Sequence, residues 1–475
     1  MLQTLHRYLL LFSSDTRKVL ESSLSSVSSF VNGIFEIRIL GISAVLLPIS
    51  FAIIFLFGKY LLVLNKVRSA VKLEKLNNNG GKNGFLKSVS ALASCVGGAL
   101  GMGNIIAGCV SVKMYGAGIL FWIIVLAIII SASKFFEVAL SCMSQYRKGD
   151  RVNNNCHSGP LVYIKNAFSI FGNKKIGSGA VAVFAFLFGS GYLLISIIQA
   201  SQFVTMLPTS NCVSFGVTTV IGLMVLFFIL KNMKEIGLFS LIFVPAMLLI
   251  QLYICIKIVI LSKYTFFELY NVVLTSAFDG STAPIQVLIA YAMQRMILAT
   301  DVGTGISGML SSESKINNRI KQGLLSAIEP LLTGVVVFLV GIAIVSIDSY
   351  SVMTESGISI ITSQIKSGFD LILFTISIFM FAVTTVITRS YCVVKSFSFL
   401  TNGRFAVSFS ILVAISVALS PYFNFNNILA ITDIVLILAA TINLIAIILI
   451  VSKKGTGKLF DKSLNRECNN ATIVD

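Results

Sequence analysis

Ser94-Cys95-Val96-Gly97-Gly98-Ala99-Leu100-Gly101-Met102-Gly103-Asn104 lies inside a run of small and apolar residues long enough to cross a bilayer. Four glycines within seven positions disfavour an unbroken helix, because each costs roughly 1 kcal/mol relative to alanine. In hydrocarbon a break is tolerated only where the freed backbone groups face protein or a water-filled cavity. Discontinuous helices of that kind turn carbonyls and half-helix ends toward substrates or ions. Glycines four apart also let two helices approach closely. On its own periodicity the stretch supports a packing stripe and a binding site equally, and the rest of the chain has to separate them.

The 475 residues are 56% hydrophobic and 12% charged, with a mean hydropathy of +0.93. A soluble domain carries about 25% charged residues, so the composition is that of a polytopic all-α membrane protein. The first 38 residues and the tail from Lys453 are too short for an aqueous core. Residues 12–38 are rich in serine and read as a mobile or amphipathic lead-in, and Met1 to Leu11 lacks the pattern of a secretory signal. The eight cysteines form no CxxC and no metal-ligand spacing, so they read as small core residues. A net charge of +17 raises nucleic acid as a partner, but the basic residues cluster in connecting loops, which is an orientation signal and excludes that partner. His6 and His157 both fall in polar segments. Hydrolase, zinc and phosphate-loop motifs are absent, and the chain reads as no enzyme. No segment implies an obligate protein partner; the lipid bilayer is the one surrounding the composition demands.

Eleven apolar spans of transmembrane length follow in order: 42–64, 85–114, 119–142, 180–206, 212–230, 236–261, 271–299, 323–345, 371–395, 405–420 and 428–451. Lys66, Arg68, Lys72 and Lys75 follow the first span, Arg147, Lys148 and Arg151 the third, Lys231 and Lys234 the fifth. Lys315, Arg319 and Lys321 follow the seventh, Lys395 and Arg404 the ninth, and Lys453, Lys454 and Lys458 the last, while the alternate loops hold almost no basic residue. The positive-inside rule then predicts an N-terminus outside and a C-terminus in the cytoplasm, in a bacterial inner membrane. Two spans are broken: the second, by the glycines, and the seventh, by Asp279-Gly280-Ser281-Thr282-Ala283-Pro284. Each heads a group of five spans, the two groups enter from opposite sides, and paired broken helices in inverted repeats point to a midplane site. The predicted units are therefore a lead-in (1–41), an extra helix (42–64), a first repeat (65–262), a second repeat (263–452) and a tail (453–475).

Several motifs carry a resemblance. Ala91-Leu92-Ala93 leads into Gly101-Met102-Gly103-Asn104-Ile105; Gly116-Ala117-Gly118-Ile119-Leu120-Phe121-Trp122 opens the next span, and Lys134-Phe135-Phe136-Glu137 with Tyr146-Arg147 closes it. Ser158-Gly159-Pro160-Leu161-Val162-Tyr163-Ile164, Gln199-Ala200, Gln322-Gly323-Leu324, and Asp433 with Asn443 follow in order. Over roughly 42–452 the chain resembles the alanine or glycine:cation symporters, sodium-coupled amino-acid transporters with a leucine-transporter-like inverted repeat of five plus five helices. There are departures. Ala99-Leu100-Gly101-Met102-Gly103-Asn104 stands where that family has Thr-Val-Gly-Thr-Gly-Asn, and Thr300-Asp301-Val302-Gly303-Thr304-Gly305-Ile306 where it has Asn-Glu-Ala-Gly-Leu-Gly-Ser. Arg389-Ser390-Tyr391 replaces a tryptophan and tyrosine pair.

The resemblance implies sodium as coupling ion and a small neutral amino acid as substrate. Thr384-Thr385 matches the hydroxyl pair that completes a sodium site in this fold, with carbonyls around Val96 and Ala99 as partners; helix-internal hydrogen bonding is the alternative for both threonines. The half-helix after the first break offers N–H groups at Gly101, Gly103 and Asn104 to a carboxylate. Met102, if it points inward, keeps the cavity small. Phe278 carbonyl and Asp279 are candidates for the substrate's ammonium, with an external-loop position the alternative for Asp279; Gln199 and Ser201 are candidates for the cavity wall or equally for a helix–helix hydrogen bond. Lys134 and Glu137, three apart, predict a structural ion pair, while Asp301 and Glu329 are expected near cytoplasmic helix ends, where charge is cheap. Asp433 is a gate candidate. The altered motifs also admit a second function, a non-transporting relative acting as a membrane receptor for amino acids.

Overall fold

Apolar runs of this length become helices in a membrane because only a helix satisfies its backbone within one segment. In the computed structural model the described residues are 29, 33, 37–39, 42–76, 82–144, 159–171, 173–207, 211–231, 233–280, 283–314, 319–347, 357–365, 367–422 and 425–454. Most of the lead-in, His157 with the 145–158 loop, Ser281-Thr282 and the tail from 455 lie outside them. A two-residue antiparallel ladder, β1 (Arg38–Ile39) with β2 (Ile42–Ser43), precedes the helices.

The first helices are α1 (Leu47–Leu76), α2 (Lys82–Ala99), α3 (Met102–Tyr115), α4 (Ile119–Met143), α5 (Pro160–Phe171), α6 (Lys174–Thr205), α7 (Asn211–Leu230) and α8 (Met233–Leu261). Then come α9 (Phe266–Asp279), α10 (Ile285–Ala299), α11 (Ile306–Glu313), α12 (Arg319–Ser326), α13 (Ile328–Val345), α14 (Gly357–Gln364), α15 (Gly368–Leu400), α16 (Ala406–Ala418) and α17 (Phe425–Lys454). Among the described residues eight helical segments are long and apolar enough to cross a membrane, nine with the bent pair α2–α3; α10 and α16 are shorter apolar helices. Outward faces confirm the solvent. On α7, Val220, Leu223, Phe227 and Leu230 form one exposed apolar stripe, and on α8 Ile242, Leu249, Ile256 and Ile260 form another. Such stripes at helical spacing suit hydrocarbon rather than water.

Packing is organised around two long central helices. α6 lies against α15, and the flanks exchange: α6 also packs on α17, and α15 on α8. α4 lies against α12 and α13, and α7 against α16.

The first interruption falls inside the glycine stretch, where α2 and α3 meet at a bend of 52°. Leu100 N–H still donates to Val96 O (2.7 Å), and Asn104 reaches back with Nδ2 to Ala99 O at 2.9 Å, so a side chain closes the break. The second interruption is not the expected one. The 279–284 cluster separates α9 from α10, and α9 packs on the start of α4 outside the cavity. It lies across the start of α4, with Trp122 Nε1 donating to Ala277 O at 3.2 Å and Gly118 pressed on the Ser276 backbone. Phe266, Phe267, Tyr270 and Phe278 on α9 are exposed. The break that penetrates the protein is 300–305, between α10 and α11, where Asp301, Gly303 and Gly305 have φ of 47°, 75° and 96°. Three left-handed residues in five positions end one helix and redirect the chain before the next.

Candidate functional site

The two interruptions meet at a cavity of about 500 Å³, a volume ordinary for a small-molecule site. α2 and α3 contribute Ala99, Gly101, Gly103 and Asn104; α6 contributes Gln199 and Gln202. Charge comes from Arg295 on α10, Asp301 in the second interruption, Arg389 on α15 and Asp433 on α17. Two cations and two anions thus share one apolar-walled space.

Gln199 occupies the mouth of the first break. Its Oε1 accepts from Met102 N–H at 3.1 Å, and its Nε2 lies 3.4 Å from Gln202 Oε1. Gly101 stands in close approach here, since a Cβ at that position would lie 2.9 Å from Gln199 Oε1 and displace that amide. Gly103, by contrast, is exposed to the cavity, and a Cβ there would meet only Gln199 Nε2 at 3.9 Å. Met102 does not narrow the space: its side chain is fully buried in the core.

The 300–305 loop is held from four sides. Asn443 Nδ2 donates to Gly303 O at 2.7 Å, and Tyr163 hydroxyl donates to Asn443 Oδ1 at 2.5 Å. Tyr192 hydroxyl donates to Thr304 Oγ1 at 2.6 Å, and Thr304 Oγ1 donates to Asp301 O at 2.8 Å. Lys134 Nζ reaches Asp301 O at 3.4 Å, and Arg389 Nη2 bonds Asp301 Oδ2 at 2.8 Å. Beneath the loop is a fully buried charge cluster. Lys134 pairs with Glu329 at 2.8 Å rather than with Glu137, and Ser307 Oγ sits 2.8 Å from both Lys134 Nζ and Glu329 Oε2. Glu137 instead accepts from Gly308 N–H at 3.3 Å and faces the N–H groups of Gly303 and Gly305. The expectation that Asp301 and Glu329 sit cheaply at helix ends is therefore corrected: both are buried, at 4% and 0% exposure, and each has a cationic partner.

The sequence-derived candidates divide as follows. Gly101, Gly103, Asn104, Gln199 and Ala99 come together at the cavity. Phe278 and Asp279 do not; they end α9, exposed, with the Phe278 ring against Phe121 and Trp122. Val96 lies one turn behind the break, in the core. Thr384 and Thr385 are fully buried and pack on α2, with Thr384 Cβ 3.5 Å from where a Gly97 Cβ would stand and Thr385 Cγ2 3.3 Å from that of Gly101. Each hydroxyl donates to its own helix, at Met380 O (2.7 Å) and Phe381 O respectively. A donating hydroxyl keeps oxygen lone pairs, while the Val96 and Ala99 carbonyls already accept from Leu100 N–H and from Asn104 Nδ2. Sequence reading passed over Asp301, Arg389 and Arg295 as cavity residues. The alternation Asp301-x-Gly303-x-Gly305 was the signal for the first.

A membrane-spanning helical bundle whose largely apolar, charge-bearing cavity lies at two chain interruptions is the architecture of a solute transporter. The family model of the sodium:alanine symporters matches residues 21–466, and the chain belongs to that family. It is 26% identical over 443 residues to an uncharacterised transporter of Haemophilus influenzae, covering 90% of this chain and 93% of that one. It is also 26% identical over 337 residues to a sodium/alanine symporter of Methanococcus maripaludis (68% and 72% covered). A sodium/proton-dependent alanine carrier of a Bacillus species is 23% identical over 341 residues (67% and 74%).

Proposed function

We propose that this chain is a secondary active transporter that couples entry of a small neutral amino acid, such as alanine or glycine, to sodium. The observation that carries the reading is the cavity itself, which joins Gly103 and Asn104 of the first interruption to Ala299 and Asp301 of the second. Family membership supports sodium and alanine as the cargo class, and relatives named as sodium/alanine and sodium/proton-dependent alanine carriers support the same class.

Sodium would sit between the Thr384 and Thr385 hydroxyls and the carbonyls of Val96 and Ala99, holding α15 against the first break. Substrate would lie in the cavity beside Gly103. Asp433 and Arg295 line the same cavity, and their pairing would serve as a gate. Eleven crossings in two inverted groups of five, with one helix ahead of them, are supported by the pairwise packing of α4 with α12–α13, α6 with α15 and α7 with α16. Matching lengths support it too, 32 and 33 residues for α6 and α15, 29 and 30 for α8 and α17. Rocking of one group against the other would alternate access. The basic loops favour an N-terminus outside, a C-terminus inside and residence in a bacterial inner membrane.

The test is uptake of labelled alanine into proteoliposomes with and without an inward sodium gradient. Gradient-dependent accumulation is expected, and equal uptake in both conditions overturns the coupling. The Thr384→Ala/Thr385→Ala variant should raise the sodium concentration for half-maximal uptake at least tenfold.

A further inference from the structure

We propose that Arg389 and Asp301 take the two charged ends of the substrate, the guanidinium receiving its carboxylate and the Asp301 carboxylate its ammonium. The inference rests on the amino-acid transport reading and names the groups of that same site.

Backbone donors at the first interruption are mostly in use. Met102 N–H is taken by Gln199, Gly101 N–H bonds Ala99 O at 3.2 Å, and Asn104 N–H bonds Gly101 O at 3.1 Å. Gly103 alone stands exposed to the cavity. A carboxylate offers about four lone-pair sites, so one backbone N–H leaves it largely unsatisfied in an apolar-walled cavity. Arg389 supplies what is missing. Its Nη2 bonds Asp301, while its Nε is buried without a hydrogen-bond partner. A guanidinium has five donors in a planar fork that matches a carboxylate.

Both groups are held in advance of the ligand. The Arg389 guanidinium lies over the Tyr192 ring, 5.7 Å from its centroid. Asp301 is fixed in left-handed backbone, with its carbonyl bonded by Thr304 and Lys134. In the pair, each charge already has its counter-ion. A zwitterion inserting between them replaces one internal ion pair with two, so no buried charge is unpaired before or after. A ligand with one charge would open the pair and strand the other partner, which is strongly unfavourable in a buried site. The pair therefore selects against amines and monocarboxylates as well as for amino acids.

The experiment is calorimetric titration of the purified full-length protein with L-alanine, L-lactate (no ammonium) and L-alaninamide (no carboxylate). Alanine is expected to bind, and the other two at least tenfold more weakly. The Arg389→Gln/Asp301→Asn double variant removes both charges while keeping shape and a hydrogen bond, and it should bind alanine at least tenfold more weakly. Alanine binding within twofold of wild type in that variant, or lactate binding as well as alanine in wild type, overturns the proposal. Where the double variant fails to fold, Arg389→Lys keeps the charge but not the fork; unchanged alanine affinity there overturns it equally. The two readings fail differently. A wild type that binds no amino acid sinks the transport reading and this one together, whereas a double variant that binds normally sinks only this one.

Discussion

Gly101 and Gly103 stand two positions apart on one interruption and tolerate change differently. A methyl group on Gly101 meets Gln199 Oε1 at 2.9 Å and must push away the side chain that holds Met102 N–H. Gly101→Ala is expected to lower the melting temperature of the purified protein. Gly103→Ala meets nothing closer than 3.9 Å and should leave the melting temperature within a degree or two, but it fills ligand space and should weaken alanine binding. Thermal unfolding and calorimetry of both variants check this, and equal melting losses would contradict it. Lys134 and Glu329 give a second prediction. Both are fully buried and 2.8 Å apart. Glu329→Gln takes the nearest counter-ion from the ammonium, which Glu137 and Asp301 still face, and should destabilise by about 3 kcal/mol, while Lys134→Met/Glu329→Leu together should recover part of the loss. Thermal or denaturant unfolding of the three proteins in detergent decides it. Lys134 and Glu137, three apart, read as a pair in sequence; Glu329, far along the chain, displaced Glu137 because α13 packs on α4.

Helix α9 shows how far an element can be read alone. The turn residues at 279–284 mark a helix end correctly, yet they do not tell whether the segment before them crosses the membrane or lies across another helix. What decided it was the fit of Gly118 and Trp122 against the last turn of α9. The second interruption was legible only as a motif, because a left-handed aspartate ahead of two glycines is silent in a hydropathy profile. Start signals are clearer. Thr265 and Glu268 form a capping box, with Thr265 N–H donating to Glu268 Oε2 at 2.8 Å and Glu268 N–H to Thr265 Oγ1 at 3.3 Å. Thr265→Ala should cost α9 about 1 kcal/mol of local stability, read as faster amide exchange over its first turn. The backbone N–H of Thr265 holds the Glu268 carboxyl below its ordinary value. The cap's contribution is thus complete above the unfolded glutamate pKa of about 4.3, and it is lost as pH falls through the lower folded value. First-turn exchange should accelerate only on that acid side, and acceleration between pH 6 and 8 would contradict the assignment.

For the whole molecule, the proposed cytoplasmic C-terminus predicts that a cysteine introduced in the C-terminal tail of a cysteine-free variant labels from the cytoplasmic side only. Labelling of intact cells by an impermeant maleimide would reverse the assigned topology. The sequence by itself determined that this is a membrane-spanning helical protein, where most of its helices lie, and that the glycine stretch interrupts one of them. Those properties follow from hydropathy, span length and local backbone preference, which are local quantities. Only the tertiary structure decided which second interruption meets the first, that Gln199 fills the mouth of the break, and that Arg389 pairs with Asp301 across 88 positions of chain. Contacts at such separations depend on how helices cross, and no local pattern encodes a crossing. The glycines mark one wall of the cavity, and packing brings the distant charges to the others.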